Sequence, residues 1–383
     1  MKRALCLQGG GAKGAFQAGA LKALYERGYR FDCAVGASVG SLNAAMVCQG
    51  KVDELYRVWE ELDFSDVLPV ERSPEGGLSL RSIASAAINA IRSSGVDTTR
   101  IRSILEKYVD EDAVRASSVR FGLVTVREDG KNHTLCKYFI EDIPQGRLVD
   151  YMMASAALPF FKKVEIDGVR YLDGGMMDNL PIEMLVEAGY HDITAIRLGG
   201  DIRYATAEPF KVTYIDPSES PGHTINFSNA SITRSLRLGY YDTLRALDGL
   251  FGAKYYVKPF GMREIYRFLR GRKSALSALL TQSGLKVGWR MKEKVAVLTF
   301  ALSEYLGVKG SAEEIWTAFA ERVAKQGALN RWQVYDVEEL LVKGTAHVDF
   351  TREETWDEST KKVLAVARVL CEEKKDGRRT EKR

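Results

Sequence analysis

The chain has 383 residues, of which 45% are hydrophobic and 28% are charged, and its formal net charge is +4. This length predicts two domains, or one large domain with an appendage, and the composition is that of a soluble globular protein with ample chain for a core. So mild a charge does not indicate nucleic acid binding, and we expect no nucleic-acid partner. No apolar run reaches the roughly 18 residues that a membrane-spanning helix needs.

The five cysteines are widely spread and include no C-x-x-C pair. An odd number of scattered cysteines is typical of free, mostly buried thiols in a reducing compartment, so we expect a cytoplasmic protein. The segment Met1–Gln8 has a basic start but only a short apolar run before the glycines. It is predicted to be a first strand and not a signal peptide.

The first 50 residues alternate strands, glycine turns and helices. A buried strand over 3–8 runs into a glycine-rich turn, and a helix follows over 15–27 with Gly28 in the place of a C-terminal glycine. A second strand over 31–35 meets a second glycine turn, after which a small-residue helix is predicted over 41–47. This order is typical of a parallel α/β sheet.

The middle of the chain is predicted to add helices, strands and two hairpins. Helices are expected over 52–62, 80–93, 99–109, 148–157, 181–188 and 232–250, with a surface loop over 64–80. The turn dipeptides Asp129-Gly130 and Asp167-Gly168 each lie between apolar runs and predict hairpins, the second of which delivers Asp173. Further buried strands are expected over 192–198 and 211–215.

From about residue 259 the pattern changes to helical periodicity alone. Helices are predicted over 262–282, 287–306, 311–326, 332–343 and 355–374, with no strands. We therefore predict two domains, residues 1–258 and 259–375, of which the second is all-helical, followed by a disordered polar tail over 376–383.

The turn Gly9-Gly10-Gly11-Ala12-Lys13-Gly14 offers backbone N–H groups with no side chains in the way. Such donors at the start of a helix suit an anion or a developing oxyanion. The turn also fits the dinucleotide pattern G-x-G-x-x-G, with Asp32 near the spacing of its acid, although Asp32 begins its strand where that acid should end it. A phosphate-binding P-loop is excluded because no Gly-Lys-Ser/Thr ends the turn. On these six residues the nucleotide and oxyanion interpretations both remain open.

Ser38 stands between Gly36 and Gly40, after a strand and before a helix. The pattern G-x-S-x-G in this setting is typical of a nucleophile elbow, a sharp turn whose neighbours must lack bulk. In a chain with 34 glycines the pentapeptide also arises by chance, so alone it does not decide between a nucleophile and coincidence.

A serine hydroxyl is a poor nucleophile unless a base takes its proton. Of the four histidines only His223, in a polar loop, fits a triad base, and an ordinary solvated histidine is the simpler interpretation. Asp173, followed by Gly174 and Gly175, is a direct base if burial raises its proton affinity. The alternative for Asp173 is an ordinary turn aspartate, because Asp-Gly is a common turn dipeptide.

Together, and in this order, the three motifs resemble those of the patatin-like phospholipase family. The glycine loop resembles the family's oxyanion loop, Gly36–Gly40 resembles its serine elbow, and Asp173-Gly174-Gly175 resembles its catalytic aspartate motif. Flanking segments fit as well, at 15–21, 41–44, 155–159 and 179–181. The resemblance covers about residues 1–200, and one departure is Gln8, where many members have an aspartate that is not itself catalytic.

The resemblance implies a three-layer α/β/α hydrolase core with a mostly parallel sheet. It makes Ser38 the nucleophile and Asp173 the general base of a catalytic dyad that works through an acyl-enzyme intermediate. The implied oxyanion hole consists of Gly9, Gly10, Gly11 and Val39. Lys13 would orient the loop or a lipid phosphate, and the motif-supporting glycines are Gly14, Gly36, Gly40, Gly174 and Gly175.

The implied activity is hydrolysis of a lipid or fatty-acyl ester, as a phospholipase A, a lysophospholipase or an esterase, with no metal and no cofactor. Two other classes stay open. One is a non-catalytic lipid-binding protein of the same fold, and the other is a nucleotide-binding protein that uses the Gly9–Gly14 loop.

The helical C-terminal region resembles an extension found in a bacterial subgroup of the family. Arginines and lysines alternate with aromatic residues over 263–294. This pattern suits peripheral contact with an anionic bilayer at the inner membrane surface. The solvated face of a packed helix produces the same pattern and does so more often.

Overall fold

A computed structural model of the chain describes residues 2–61, 97–159, 161–200, 209–282, 284, 288 and 290–372. The loop expected over 64–80, the helix expected over 80–93 and the tail expected over 376–383 lie outside the described residues. The chain divides into two compact units, Met1–Thr243 and Leu244–Arg383. The predicted domain boundary after residue 258 falls later in the chain than this division and stays a prediction.

The first unit is built on an eight-stranded sheet with the order β5-β6-β3-β2-β1-β7-β8, in which β4 pairs with β3. The strands are β1 Arg3–Leu7, β2 Cys33–Ala37, β3 Arg120–Asp129, β4 Asn132–Phe139, β5 Val164–Ile166, β6 Val169–Asp173, β7 Asp192–Ile196 and β8 Lys211–Ile215. The pairs β1–β2, β1–β7, β2–β3 and β7–β8 are parallel, whereas β3–β4, β3–β6 and β5–β6 are antiparallel. Both predicted hairpins are therefore present, and the mostly parallel sheet is confirmed.

Along the chain, helices lie between the strands of this sheet and after its last strand. They are α1 Gly14–Glu26, α2 Val39–Cys48, α3 Val52–Glu61, α4 Thr99–Tyr108, α5 Glu111–Arg115, α6 Leu148–Ser155, α7 Ile182–Glu187 and α8 Asn229–Asp248. All except α5, a single short turn, are predicted by the sequence to within a few residues.

Both faces of the sheet are covered by helices. Alternate residues of each strand point to opposite faces, so the sheet packs against helices on both sides. On one face Ala4 and Cys6 pack in an apolar cluster with Met184 and Leu185 of α7. On the other face Leu7 meets α2 so closely that its Cβ would lie 3.1 Å from a Cβ at Gly40. This is the predicted three-layer α/β/α arrangement.

The second unit is mainly helical. Its helices are α9 Met262–Arg270, α10 Lys273–Gln282, α11 Met291–Leu306, α12 Ala312–Gln326, α13 Val337–His347 and α14 Glu358–Glu372. The helix predicted over 262–282 is interrupted at Gly271, where α9 ends, so one predicted helix is two. The expectation of no strands is also corrected, because β9 Tyr256–Val257 and β10 Val334–Tyr335 form a two-residue parallel pair.

The core of the second unit is a single apolar cluster that includes Trp316, Phe319, Leu340 and Leu364. Burial of these side chains is what holds the short helices together, since helices of this length are marginal on their own. In the part of the chain that the structure describes, no helix is both long enough and apolar enough to cross a membrane.

Candidate active site

The register of the sheet brings Ser38 and Asp173 to one point. Strand β4 pairs with β3 along Gly122–Asp129, so β2 and β6 share the opposite edge of β3, one after the other. The last pair of β2 joins Ala37 to Val124, and the last pair of β6 joins Asp173 to Thr125. Ser38, the residue after Ala37, therefore leaves β2 beside the point where β6 ends at Asp173.

Ser38 occupies a strained turn. It has φ 52° and ψ −125°, a left-handed conformation that costs a non-glycine residue about 1–3 kcal/mol. The flanking glycines make the turn sterically possible, because a Cβ at Gly36 would overlap the Gly40 backbone and a Cβ at Gly40 would overlap the Leu7 carbonyl. The strand β2 continues to Ala37, two residues beyond the predicted end, so Gly36 is a strand residue as well as a turn residue.

The glycine loop has backbone donors to spare. Among the described residues, the N–H groups of Gly10, Gly11 and Val39 have no hydrogen-bond acceptor, and all three residues line the cavity that contains Ser38. Gly11 has φ 56°, and a Cβ there would overlap the Thr224 carbonyl, so only glycine fits.

Gly9, which the sequence predicts in the oxyanion hole with Gly10, Gly11 and Val39, differs from these residues in the bonds that its backbone makes. The Gly9 N–H donates to the Asn179 carbonyl at 3.1 Å, and the Asn179 side-chain amide donates to the Gly9 carbonyl at 3.2 Å. Both polar groups of Gly9 are thus used to hold the loop, and its N–H is not available to a ligand.

Asp173 is buried, with 3% of its surface exposed. Its Oδ1 accepts the Gly175 N–H at 2.7 Å, and Oδ2 has no hydrogen-bond partner of normal geometry among the described residues. Burial raises the pKa of Asp173 to about 6, while the Gly175 N–H and the nearby Ser38 hydroxyl lower that pKa as donors. Gly174 allows this close packing, because a Cβ there would overlap the Val124 carbonyl.

Ser38 and Asp173 open onto a cavity of about 770 Å³ in the first unit. One wall is apolar and comes from α4, α6 and the segment that follows α6; it includes Ile101, Ile104, Leu105, Met152, Leu158 and Phe161. The other wall is more polar and consists of Leu198–Gly200 and the loop around Pro217–Phe227. Such a combination of an apolar wall and a few polar groups is typical of a site for a small amphipathic molecule.

A buried polar network supports the glycine loop, and the sequence alone did not reveal it. The Asn43 side chain donates to the Gly14 carbonyl at 3.0 Å and to Gln17 Oε1 at 2.9 Å, and it accepts from the Trp59 indole at 3.1 Å. Gln17 donates to the Gln8 carbonyl at 2.7 Å. The polar positions inside the otherwise apolar helices α1 and α2 were the signal for this network.

Gln8, the departure from the family pattern, has a structural role. Its Oε1 accepts the Leu198 N–H at 2.6 Å, and its Nε2 donates to the Gly199 carbonyl at 3.2 Å. An amide can serve both groups because it carries an acceptor and a donor, whereas an ionised carboxylate only accepts.

Lys13 and Gly14 lie at the site, whereas His223 lies outside the cavity. Lys13 lines the cavity, and no described residue forms an ion pair with it. Gly14 packs under the elbow, where a Cβ would lie 2.6 Å from Val39 Cγ2. His223 is exposed and its side chain does not line the cavity.

Asp32, the acid of the dinucleotide hypothesis, lies at the wrong end of the sheet. It precedes β2, accepts the Arg3 N–H at 2.7 Å and is one strand length, roughly 16 Å, from the glycine loop. It cannot contact a ribose bound at that loop. Within the described ranges, no group of three or more His, Cys, Asp or Glu residues is placed to hold a metal ion.

Comparison with known proteins points to one family. Residues 5–186 match the family model for patatin-like phospholipases, a family of lipid acyl hydrolases. Among curated proteins, the chain is similar to uncharacterized protein YjjU of Escherichia coli (strain K12), with 26% identity over 226 residues that make up 54% of this chain and 55% of YjjU. It is also similar to uncharacterized protein YqhO of Bacillus subtilis (strain 168), with 29% identity over 196 residues, 45% of this chain and 63% of YqhO.

The chain thus spans somewhat more than half the length of these curated relatives. Among solved structures, VipD from Legionella pneumophila matches with a TM-score of 0.41 and 16% identity, over 98% of this chain and 92% of VipD.

Proposed function

We propose that the protein hydrolyses fatty-acyl esters with a Ser38–Asp173 dyad, on the premise of the match between residues 5–186 and the family model for patatin-like phospholipases. The observation that carries the proposal is the junction on β3, where a strained, glycine-flanked serine meets a buried aspartate whose Oδ2 has no ordinary partner among the described residues. A buried carboxylate with an unused oxygen beside a hydroxyl is the arrangement that a direct general base requires.

In the first step Ser38 Oγ attacks the ester carbonyl carbon, and Asp173 Oδ2 takes the hydroxyl proton. The negative charge that develops on the carbonyl oxygen is stabilised by backbone N–H groups, for which Gly10, Gly11 and Val39 are the available donors. The carbon–oxygen bond to the alcohol then breaks, and Asp173 returns the proton to the departing alkoxide. Ser38 is left as an acyl ester.

In the second step a water molecule attacks the acyl-enzyme carbonyl while Asp173 Oδ2 takes a proton from it. Collapse of this intermediate releases the fatty acid, and the proton passes from Asp173 to Ser38 Oγ. With a pKa of about 6, Asp173 is mostly ionised at neutral pH and is therefore able to accept the proton in both steps.

The cavity supports a lipid substrate. Its apolar wall from α4 and α6 suits an acyl chain, and Lys13 is a cation within the same cavity that suits a phosphate or the free carboxylate of a product. This substrate class includes phospholipids, lysophospholipids and simple esters. We further propose that the protein acts in the cytoplasm, with peripheral contact to the inner membrane surface through exposed arginines such as Arg263 and Arg270 of α9.

The test compares wild-type protein with Ser38→Ala, Asp173→Asn and His223→Ala on p-nitrophenyl esters and on phospholipids, with fluorophosphonate labelling of Ser38. We expect the first two variants to lose about 10³-fold or more in kcat/KM, and His223→Ala to stay within about twofold of wild type. Activity that survives Asp173→Asn but disappears in His223→Ala would replace the dyad with a triad. Lipid binding without turnover in wild type would indicate the non-catalytic alternative.

A further inference from the structure

The segment Ser155-Ala156-Ala157 links the two halves of the proposed dyad. It begins with Ser155, the last residue of α6, and it belongs to one of the flanking segments that resemble the family but that the proposed reaction steps do not use. Ser155 has no exposed surface and does not line the cavity, so it does not touch substrate.

Ser155 holds the backbone of the elbow. Its Oγ accepts the Ser38 N–H at 2.9 Å and donates to the Val124 carbonyl at 2.7 Å. The first bond fixes the peptide that enters the strained turn. The second ties the same hydroxyl to the residue of β3 that pairs with Ala37, so Ser155 closes a short bridge from β3 to the elbow.

Two residues later the same segment holds the aspartate. The Asp173 N–H donates to the Ala157 carbonyl at 2.8 Å. Asp173 pairs with Thr125, the residue after Val124. One short stretch of chain therefore contacts the backbone of both Ser38 and Asp173 and bonds to β3, the strand with which β2 and β6 both pair.

We infer that Ser155 is a positioning residue of this enzyme, and that segment 155–157 sets the spacing between Ser38 Oγ and the Asp173 carboxylate. The inference rests on the proposed function. Without the Ser155 hydroxyl, the Ser38 N–H and the Val124 carbonyl both lose their partner, and the left-handed backbone of Ser38 loses the bond that offsets its strain.

We call the hydrogen bonds from Ser155 and Ala157 to Ser38, Val124 and Asp173 the clamp. Residues of segment 155–158 alternate between this clamp and the cavity. Ala156 and Leu158 line the cavity, whereas Ser155 and Ala157 bond to the elbow and to the aspartate strand. An acyl chain lying on Ala156 and Leu158 therefore presses on the same backbone that holds the dyad.

The test is Ser155→Ala, with Thr243→Val as the matched control. Thr243 is also fully buried, and its hydroxyl donates to the Gly239 carbonyl at 2.8 Å within α8, so the control removes a buried hydroxyl that has no contact with the dyad. Measurements are kcat and KM on a p-nitrophenyl ester between about pH 5 and 9, the rate of Ser38 labelling by a fluorophosphonate, and thermal melting.

We expect Ser155→Ala to lower kcat by about 10- to 100-fold with KM within about threefold, because a nucleophile displaced by a fraction of an ångström reacts slowly while substrate binding persists. The labelling rate should fall in parallel. The acid limb of the kcat profile should shift to higher pH, since a displaced Ser38 hydroxyl no longer lowers the pKa of Asp173. A purely structural loss of folded protein would not move that midpoint.

The outcomes distinguish a failure of the clamp from a failure of the proposed function. Ser155→Ala with the kcat and pH profile of wild type overturns the clamp and leaves the proposed function intact, as does an equal loss in Thr243→Val. A wild-type protein whose Ser38 is neither labelled nor needed for turnover overturns the proposed function and the clamp with it. Should Ser155→Ala not fold, Ser155→Cys replaces it, and its weaker donor and acceptor should give a smaller loss with the same shift.

Discussion

The sheet edge around Ser38 and the core of the helical unit are built on different principles. At the edge, the buried side chains include Gln8, Gln17, Asn43, Ser155 and Asp173, none more than 4% exposed. In the helical unit the core is an apolar cluster around Trp316 and Phe319, and buried threonines such as Thr345 bond to a carbonyl of their own helix.

The helical core mainly provides stability, whereas the sheet edge mainly fixes the geometry of the proposed active site. In the apolar core, burial of large side chains provides the free energy of folding and fixes no particular atom. At the edge, hydrogen bonds in chosen directions fix individual backbone groups of the glycine loop and the elbow, and the buried carboxylate of Asp173 makes folding less favourable. Removing the buried charge of Asp173 should therefore stabilise the protein, whereas removing an apolar side chain from the helical core should destabilise it.

The largest effect is expected in the helical core. Phe319→Ala removes a fully buried ring that stacks edge-on against Trp316 at 5.7 Å, and it should lower the free energy of unfolding by about 3–5 kcal/mol. Chemical denaturation measures the loss. The matched control is Phe300→Ala, whose ring is 68% exposed and should change stability by less than about 0.5 kcal/mol. Equal effects of the two variants would contradict the assigned core.

The second-largest effect is expected for Asp173→Asn, which should raise the stability of the folded protein. The pKa of Asp173 is raised to about 6 in the folded protein and returns to about 3.9 on unfolding. The folded state thus binds more protons between these values, and stability falls as pH rises from about 4 through 6. Asp173→Asn removes the buried charge, so it should stabilise the protein by about 2–3 kcal/mol at neutral pH and by little near pH 4.

Melting temperatures across this pH range test the prediction, with Ser38→Ala as the control. Ser38→Ala also abolishes the proposed activity, but it keeps the carboxylate and should show no gain at neutral pH. If both inactive variants melted alike at every pH, Asp173 would not carry a raised pKa and the contrast with the apolar core would disappear.

Much of this architecture follows from local sequence. The glycine turns, the two hairpins and most helices are predicted because hydrophobic periodicity and turn residues act over a few positions. Strand β2 is predicted two residues too early, since its end is Gly36-Ala37 and glycine is a poor strand residue. The pair β9–β10 is missed because two-residue strands leave no periodicity.

The site could be predicted only in part. The motifs point to Ser38 and Asp173, but not to the shared edge of β3 that joins them, because register between distant strands depends on the whole sheet. For the same reason the sequence does not show that the Gly9 N–H donates to the Asn179 carbonyl. The roles of Gln8 and Ser155 likewise depend on partners more than a hundred residues away.

A smaller effect is expected at Gln8. In Gln8→Leu the Leu198 N–H and the Gly199 carbonyl lose their partner, at a cost of about 1–3 kcal/mol. Since Leu198 and Gly199 line the cavity, KM should also rise. Gln49→Leu is the control, because Gln49 is half-buried and lies away from the cavity; denaturation and kinetics of both variants decide whether the edge depends on Gln8.

The smallest effect is the pH dependence of kcat in the wild-type protein. If Asp173 is the base, only its ionised form accepts the Ser38 proton, so kcat should be level above about pH 7 and should fall tenfold, or about 1.4 kcal/mol, per pH unit below the pKa of about 6. No histidine lines the cavity within the part of the chain that the structure describes, so His223→Ala should leave this acid limb in place. A midpoint near 4 would mean that the carboxylate is hydrated during turnover. The edge would then differ less from an ordinary protein surface than its burial indicates.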